Sequence, residues 1–175
     1  RGHLFKIAFQ MKERFWERDG IYGGISYTTG PIGQIWYPSH DINAQKGILL
    51  GAYTWDGKAT AMFEALSHED RLKVGAANAE KIHPGYSKYI ENGISIPWGR
   101  MNHQMGCGMR LDKDVWDDYF PLLQKPEGRH FMIGDQISHH SGWQEGALAS
   151  SEQALQQLNK LVELNANKKG ASYAR

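Results

Sequence analysis

A mixed fold of α-helices and β-strands (α/β, α+β mixed) is predicted by three features of this 175-residue sequence. Short apolar runs rich in aliphatic and aromatic residues recur along the chain, as is typical of buried strands. A long segment near the C-terminus instead carries apolar residues at helical spacing. The length itself is that of one ordinary domain, with room for a sizeable core.

Four segments have the composition of strands. The clearest is Lys46–Trp55, and Gly33–Pro38 is a shorter run that proline ends. Leu4–Gln10 and Arg129–Asp135 are predicted to be buried strands because they are mostly apolar. The stretch Asn92–Gly108 holds four glycines and no sustained period, so loop and short strand pieces both stay open there.

Two segments are predicted to be helical. The first runs from Lys58 to about Gly85, and the spacing of Ser67 and Asp70 within it resembles a capping box for a second helix. The other runs from Trp143 to Leu164, where the apolar stripe comprises Ala147, Ala154, Leu155, Leu158, Leu161 and Val162. The polar tail that follows is expected to fray.

Composition narrows the class of function. The 20 Lys and Arg residues nearly balance 19 Asp and Glu residues, so no nucleic-acid partner is implied. No apolar run approaches the roughly 20 residues that a membrane span requires. Six Trp and eight Tyr residues suit a packed core or a cavity for an organic ligand. The single cysteine leaves the redox compartment open.

The segment Phe131–Ser151, FMIGDQISHHSGWQEGALASS, is predicted to be a strand, a polar loop and a helix start. A helix start presents unpaired N–H groups, which stabilise an anion or a ring that gains negative charge. Gly142 and Gly146 would let a flat ligand approach the backbone, and Asp135 could accept a hydrogen bond from a ribose or ribityl hydroxyl. An ordinary strand-to-helix connection is the competing interpretation.

Lys6 interrupts an apolar strand, so its ammonium either meets a water or anion, or faces solvent from an edge strand. Tyr53 and Trp55 alternate with Thr54 and therefore point to one face, where they line a pocket or pack in the core.

Neither the histidines nor the cysteine favours a metal site or a nucleophile. The adjacent His139 and His140 point different ways, and Cys107 has no Cys-x-x-Cys partner, so no metal site is expected. Cys107 and His103, four residues apart in a glycine-rich stretch, are a weak nucleophile motif, and a structural cysteine is the favoured interpretation.

Several of these segments occur together, in order, in one family. They are KIAFQMKERFWERDGIYGGISYTTGPIGQIWYPSHD, GILLGAYTWDGKA and PEGRHFMIGDQISHHSGWQEGALASSEQAL. From Lys6 to Leu158 the chain resembles the C-terminal part of flavin-dependent monoamine and L-amino-acid oxidases. The resemblance implies a two-domain FAD-binding fold, with residues 1–125 mainly in the substrate-binding domain and a helical insertion at about 58–90. It assigns 126–165 to the last strand and helix of the FAD-binding domain and leaves 166–175 as a polar tail.

Site residues follow from the resemblance. Lys6 matches the lysine that holds a water beside the reactive flavin nitrogen, and Tyr53 matches the tyrosine that binds the substrate carboxylate. Trp143 matches the aromatic wall of the substrate cavity. The resemblance further implies that FAD is contacted along the last motif, at Gly134, Asp135, Gly142, Trp143, Gln144 and Ala147.

The chain departs from the family pattern in two ways. Gly134–Ile137 reads Gly-Asp-Gln-Ile where the family commonly has Gly-Glu-His-Thr. The Gly-x-Gly-x-x-Gly turn that binds the ADP half of FAD is missing from the sequence. We therefore expect a processed precursor, in which an N-terminal chain or chains carry that turn, in agreement with a start at Arg1. A dimer of such protomers is a family expectation.

The implied activity is that of an L-amino-acid oxidase, which yields a 2-oxo acid, ammonia and hydrogen peroxide from an L-amino acid, water and dioxygen. A flavin monooxygenase that gives an amide, and a non-catalytic subunit of the same fold, are the alternatives. A plain amine oxidase fits less well, because Tyr53 suits a carboxylate. Location stays open between secretion, the periplasm and the cytoplasm.

Overall fold

The computed structural model describes residues 3–107 and 113–173, with side chains up to residue 166. The chain forms two compact units, Arg1–Cys107 and Gly108–Arg175. The assignment of residues to substrate-binding and FAD-binding domains, with its division near residue 125, stays a prediction. No helix among the described residues is long and apolar enough to cross a membrane.

The first unit is built on a five-stranded antiparallel sheet. Its strands are β1 (Phe5–Met11), β2 (Ile25–Tyr27), β3 (Gln34–Trp36), β4 (Gly47–Thr54) and β5 (Ile90–Pro97). Their order across the sheet is β2-β3-β4-β1-β5, so β1 lies between two other strands. The predicted strands Leu4–Gln10, Gly33–Pro38 and Lys46–Trp55 are confirmed, and β5 settles the open stretch after Asn92 in favour of a strand over its first part.

The described residues of the first unit form three α-helices: α1 (Phe15–Arg18), α2 (Gly57–Ala65) and α3 (His68–Ala79). The predicted cap of α3 is confirmed, since Ser67 Oγ accepts a hydrogen bond from Asp70 N at 3.1 Å. Asp56 caps α2 in the same way by accepting from Ala59 N at 2.8 Å.

Alternation along β1 determines which face of the sheet is the core. Phe5, Ile7, Phe9 and Met11 are fully buried, while the residues between them are half-buried. The buried set packs under the helices, as shown by the Phe5 ring stacked on Phe63 of α2 at 4.2 Å between centroids. The opposite face of the sheet is therefore the face on which Lys6 lies.

The regular elements among the described residues of the second unit are helices, separated by irregular segments. It contains α4 (Lys113–Leu123), a 3-10 turn at Asp135–Ile137, and the long helix α5 (Gln144–Tyr173). The predicted helix from Trp143 is confirmed, but α5 continues through most of the tail that was expected to fray. Ala147, Ala154 and Leu161 of its apolar stripe are half-buried, whereas Leu155, Leu158 and Val162 are exposed.

The predicted strand Arg129–Asp135 is wrong as a strand of this unit. Among the described residues it forms one isolated bridge, between Glu127 and His130, and Met132 and Ile133 are 52% and 56% exposed. A strand needs a neighbouring strand to pair its backbone groups, and the described residues of this unit include none. The predicted burial is wrong as well, because the apolar composition does not supply the partner strand against which these residues would pack.

Candidate functional site

Lys6 projects from the centre of the sheet. It is paired with Tyr53 of β4 on one side and Ile96 of β5 on the other. The edge-strand interpretation of Lys6 is therefore wrong, because β1 has neighbours on both sides. Its half-buried side chain lies on the face opposite the core, where Nζ is 4.8 Å from the centroid of the Tyr53 ring.

A β-bulge determines the direction of Tyr53. Ile7 pairs with Ala52 and Ala8 with Leu50, which leaves Gly51 as one extra residue in β4. Because side chains alternate with period two, this extra residue moves Tyr53 to the same face as Leu50. Without the bulge, Tyr53 would point into the core. A side chain at Gly51 would collide with Phe9 at 2.6 Å, so glycine is required there.

A second glycine fixes the backbone of Tyr53 from the other side. Tyr53 N donates to Ile32 O at 3.0 Å, and Gly33 forms a bridge with Tyr53. Gly33 has a φ of +66°, and a Cβ there would lie 2.8 Å from the carbonyl oxygen of Tyr53. The loop before β3 thus approaches β4 as closely as only a glycine permits.

Three aromatic rings meet beside Lys6, and we call Trp36, Tyr53 and Trp55 the aromatic cluster. Tyr53 makes an edge contact with each indole, at 5.6 Å to Trp36 and 5.6 Å to Trp55. The prediction that Tyr53 and Trp55 share one face is confirmed by this contact. The two indoles do not lie in the core, since Trp36 and Trp55 are 37% and 39% exposed.

The Tyr53 hydroxyl is kept as a hydrogen-bond donor. Burial raises the pKa of Tyr53, and the neighbouring Trp55 offsets this only in part. The neutral phenol therefore persists well into alkaline solution and can donate to an anionic acceptor such as a carboxylate. An ammonium and a phenol on one open sheet face form a donor pair for an anion or a water.

In the second unit, a loop from Gly134 to Gly142 leads into α5. Gly134 has a φ of +137°, and its N–H donates to Ser150 Oγ at 2.9 Å. Ser150 is buried and donates in turn to the carbonyl of Ala147, also at 2.9 Å. The loop is thus tied to the first turns of the helix through one hydroxyl.

Asp135 closes the same loop. Its Oδ2 accepts the N–H of Gly142 at 2.7 Å, so one carboxylate oxygen holds the backbone that precedes α5. Gly142 has a φ of +89°, and a Cβ there would meet no heavy atom within 4 Å. The space above Gly142 is therefore open to a ligand, and its left-handed conformation favours glycine.

The start of α5 borders an open cleft of about 750 Å³. Its lining comprises His140, Gly142, Trp143, Gln144, Glu145 and Leu148. Trp143 is 74% exposed, which is unusual for so large an apolar ring within a folded unit. The first amide groups of a helix lack the acceptor four residues earlier, and they lie at the positive end of the helix dipole. Of these groups in α5, Gly146 N donates to Trp143 O at 3.1 Å.

These residues fit a flavin by the chemistry of their donors. Backbone N–H groups at a helix start suit the pyrimidine edge of the ring, which becomes negative on reduction. The carboxylate of Asp135 suits a ribityl hydroxyl, and the open space at Gly142 suits a flat ring close to the backbone. Gln144 lies in the cleft lining, whereas Ala147 contributes its carbonyl to the support of the loop.

Each unit therefore brings together its own set of predicted residues. Lys6 and Tyr53 are in contact in the first unit, and Asp135, Gly142, Trp143 and Gln144 surround the helix start in the second. The expectation that Gly146 admits a ligand is wrong, because Gly146 is buried and a Cβ there would lie 2.3 Å from the carbonyl oxygen of His140. Trp36 was missed by sequence reasoning. The sequence feature that could have indicated Trp36 is its place at the end of the short strand β3. This strand pairs with β4, where Gln34 lies opposite Tyr53.

The histidines considered for a metal site have other surroundings. The His139 ring packs against Phe120 at 4.7 Å, and His140 contributes to the cleft. Within residues 3–107 and 113–173, no group of three or more His, Cys, Asp or Glu side chains is placed to hold a metal ion.

Comparison with known proteins gives one family match. The family described as flavin containing amine oxidoreductase matches residues 2–159. A flavin-dependent L-tryptophan oxidase of Lentzea aerocolonigenes is 35% identical over 87% of this chain and 33% of its own length. An L-amino-acid oxidase of Siganus canaliculatus is 31% identical over 91% of this chain and 31% of its own. The chain thus spans about a third of the length of these curated relatives.

Solved structures agree on the fold. A triple mutant of putrescine oxidase superposes with a TM-score of 0.75 at 22% identity, over 91% of this chain and 35% of that one.

Proposed function

The chain belongs to the family of flavin containing amine oxidoreductases, and from that premise we propose that it is the C-terminal part of an FAD-dependent L-amino-acid oxidase. FAD is the cofactor of this flavoprotein family. Two relatives named as an L-tryptophan oxidase and an L-amino-acid oxidase support an amino acid as the substrate.

The observation that carries the proposal is the position of Tyr53. The bulge at Gly51 turns it to the open face, where its hydroxyl stays a donor and Lys6 lies against its ring. A neutral donor beside an ammonium suits the carboxylate that distinguishes an amino acid from a simple amine. Tyr53 is accordingly assigned to substrate binding.

The reaction converts an L-amino acid, water and dioxygen into a 2-oxo acid, ammonia and hydrogen peroxide. Bound FAD supplies the two-electron acceptor for oxidation of the substrate to its imino acid. Lys6 donates a hydrogen bond to a water and so orients it, either for hydrolysis of the imino acid or for the oxygen half-reaction. Trp143 walls the substrate cavity, and its open ring suits that task.

The second unit is assigned to flavin binding. The helix start at Gln144 stabilises negative charge on the pyrimidine edge, and Asp135 accepts from a ribityl hydroxyl while Gly142 N holds its Oδ2 in place. The ADP half of FAD requires the glycine-rich turn that this sequence lacks. We propose that an N-terminal part of the same protein provides it, since this chain spans only about a third of the length of its relatives.

Product analysis of the complete flavoprotein tests the proposal. We expect one 2-oxo acid, one ammonia and one hydrogen peroxide for each L-amino acid consumed. Formation of an amide with release of carbon dioxide would identify the enzyme as a monooxygenase and not an oxidase. Purification without any flavin, although the N-terminal chain is present, would establish a non-catalytic subunit.

A further inference from the structure

Tyr86 fills the space beneath the β-bulge of β4, on the core side of the sheet. A Cβ built on the bulge residue Gly51 would be 2.6 Å from Phe9 Cδ2 and 2.7 Å from Tyr86 Oη. The Tyr86 ring also packs edge-on against Phe9, at 5.8 Å between centroids. Phe9 and Tyr86 therefore leave room for glycine alone at this point of the strand.

The Tyr86 hydroxyl does not stabilise the core through a hydrogen bond. Tyr86 is fully buried, and its Oη has no hydrogen-bond partner among the described residues. Burial raises the pKa of Tyr86, so the phenol stays neutral. A buried hydroxyl without a partner lowers stability, and phenylalanine would supply the same ring without that cost. The stability of the fold therefore gives no reason for a hydroxyl at this position.

A short turn holds Tyr86 in this place. The carboxylate of Glu80 accepts hydrogen bonds from Gly85 N at 2.6 Å, from Ser87 N at 2.8 Å and from Ser87 Oγ at 2.9 Å. Tyr86 N itself donates to His83 O at 3.0 Å. The backbone is thus fixed on both sides of Tyr86, which limits how far its hydroxyl can withdraw from the bulge.

The position of the bulge determines the direction of Tyr53. Side chains alternate along a strand, so a bulge that moved past Tyr53 would turn this residue into the core. No other residue of β4 can take the place of Gly51, because its Cβ would meet the Phe9 ring and the Tyr86 hydroxyl. The two core side chains thus fix the bulge at the one glycine in the middle of the strand.

We propose that Tyr86 is a positioning residue for substrate binding, which keeps the bulge at Gly51 and thereby keeps Tyr53 on the open face. Its hydroxyl does so directly, and its ring does so by supporting Phe9. The inference rests on the proposed function, because it takes Tyr53 as the group that binds the substrate carboxylate. Tyr86 acts through the backbone of β4 and not by contact with the substrate.

Steady-state kinetics of the complete flavoprotein, with the standard L-amino acid that reduces its flavin fastest, test this inference. A displacement of about 1 Å can cost about 100-fold, and the gap left by one oxygen permits a smaller displacement. We therefore expect Tyr86→Phe to raise KM about 3- to 10-fold. The value of kcat should stay within about twofold, because the carboxylate takes no part in the bond changes. In a Tyr53→Phe background, Tyr86→Phe should leave KM within about 1.5-fold.

Urea unfolding midpoints distinguish positioning from a general loss of stability. Tyr86→Phe should leave the midpoint unchanged or raise it, because the hydroxyl that it removes has no partner. Tyr37→Phe is the matched control, since Tyr37 is also buried in this core but shares a hydrogen bond with Ser26 Oγ at 2.8 Å. The control variant should lower the midpoint and leave KM unchanged.

Glu80→Gln provides the test if Tyr86→Phe loses its flavin absorbance. This change weakens the hydrogen bonds that hold the turn around Tyr86 and leaves the side chains of the core in place. Its KM should rise, and the rise should disappear in the Tyr53→Phe background. A KM equal to that of the wild-type protein would contradict the inference.

Two results overturn the inference alone. One is an unchanged KM for Tyr86→Phe although Tyr53→Phe raises KM. The other is an equal rise of KM on Tyr86→Phe with and without the Tyr53 hydroxyl, which would show that Tyr86 does not act through Tyr53. A flavin that no L-amino acid reduces, or an unchanged KM for Tyr53→Phe, is a distinct result, because it overturns the proposed function and this inference with it.

Discussion

Gly33→Ala tests whether the close approach of the loop to β4 positions Tyr53. Gly33 has a φ of +66°, a conformation that costs an L-residue about 1–2 kcal/mol. The added Cβ would also lie 2.8 Å from Tyr53 O and 3.1 Å from Thr54 Cβ. The nearest of these atoms belongs to the backbone, so β4 itself must shift.

The expected loss of stability is the sum of two terms. The conformational term of about 1–2 kcal/mol is joined by an overpacking term of about 1–3 kcal/mol, which gives about 2–5 kcal/mol for Gly33→Ala. Gly20→Ala supplies the control. Gly20 has a similar φ of +76°, but a Cβ there meets nothing within 4 Å, so only the first term applies.

Urea unfolding midpoints of the complete flavoprotein measure the difference, and the KM for an L-amino acid reports on Tyr53. We expect Gly33→Ala to destabilise more than Gly20→Ala and to raise KM, while Gly20→Ala leaves KM unchanged. Equal midpoints for the two variants would refute the idea that the contact with β4 matters. A destabilised Gly33→Ala with unaltered KM would refute the link to substrate binding.

Three further predictions concern single side chains. Tyr53→Phe should raise KM for an L-amino acid about 10- to 100-fold, because a hydrogen bond to a carboxylate is lost; steady-state kinetics check this, and an unchanged KM would remove Tyr53 from carboxylate binding. Lys6→Met should slow either imino acid hydrolysis or reoxidation by dioxygen about 100-fold without abolishing flavin reduction, as stopped-flow absorbance and product release would show. Burial lowers the pKa of His83, whose Nε2 meets Tyr37 Oη at 2.5 Å. As the pH falls, His83 therefore takes up a proton in the unfolded chain before it does so in the folded one. The contribution of the neutral His83 to stability is fully present above a pH of about 6.5 and is lost as the pH drops below it. His83→Gln should reduce the change of the urea midpoint with pH between about pH 5 and 6.5. An unaltered pH dependence would contradict His83 as its cause.

The sequence predicted the central strands well, because alternation along β1 and the apolar run of β4 are local signals. It left Lys6 undecided, since a strand's own sequence does not show whether it has one neighbour or two. The neighbour, β5, lay in a glycine-rich stretch where no period was evident. The direction of Tyr53 depends on the bulge at Gly51, which only the pairing with β1 shows.

The second unit shows the opposite limit. The helix start at Gln144 was predictable from its glycines and apolar stripe, whereas the predicted strand Arg129–Asp135 was not found. A run of apolar residues indicates that burial would be favourable, but the pairing that makes the run a strand depends on other segments. For the same reason the sequence did not indicate Trp36, because its contact with Tyr53 forms between neighbouring strands.

The measurement that tests the account most directly is an anaerobic titration of the complete flavoprotein with L-amino acids, followed by the absorbance of its flavin. We expect the flavin band to bleach with an L-amino acid and to return when air is admitted. The corresponding amine, which lacks the carboxylate, should bleach it far less. Equal bleaching by the amine would contradict the role given to Tyr53, and a flavin that no L-amino acid reduces would contradict the oxidase.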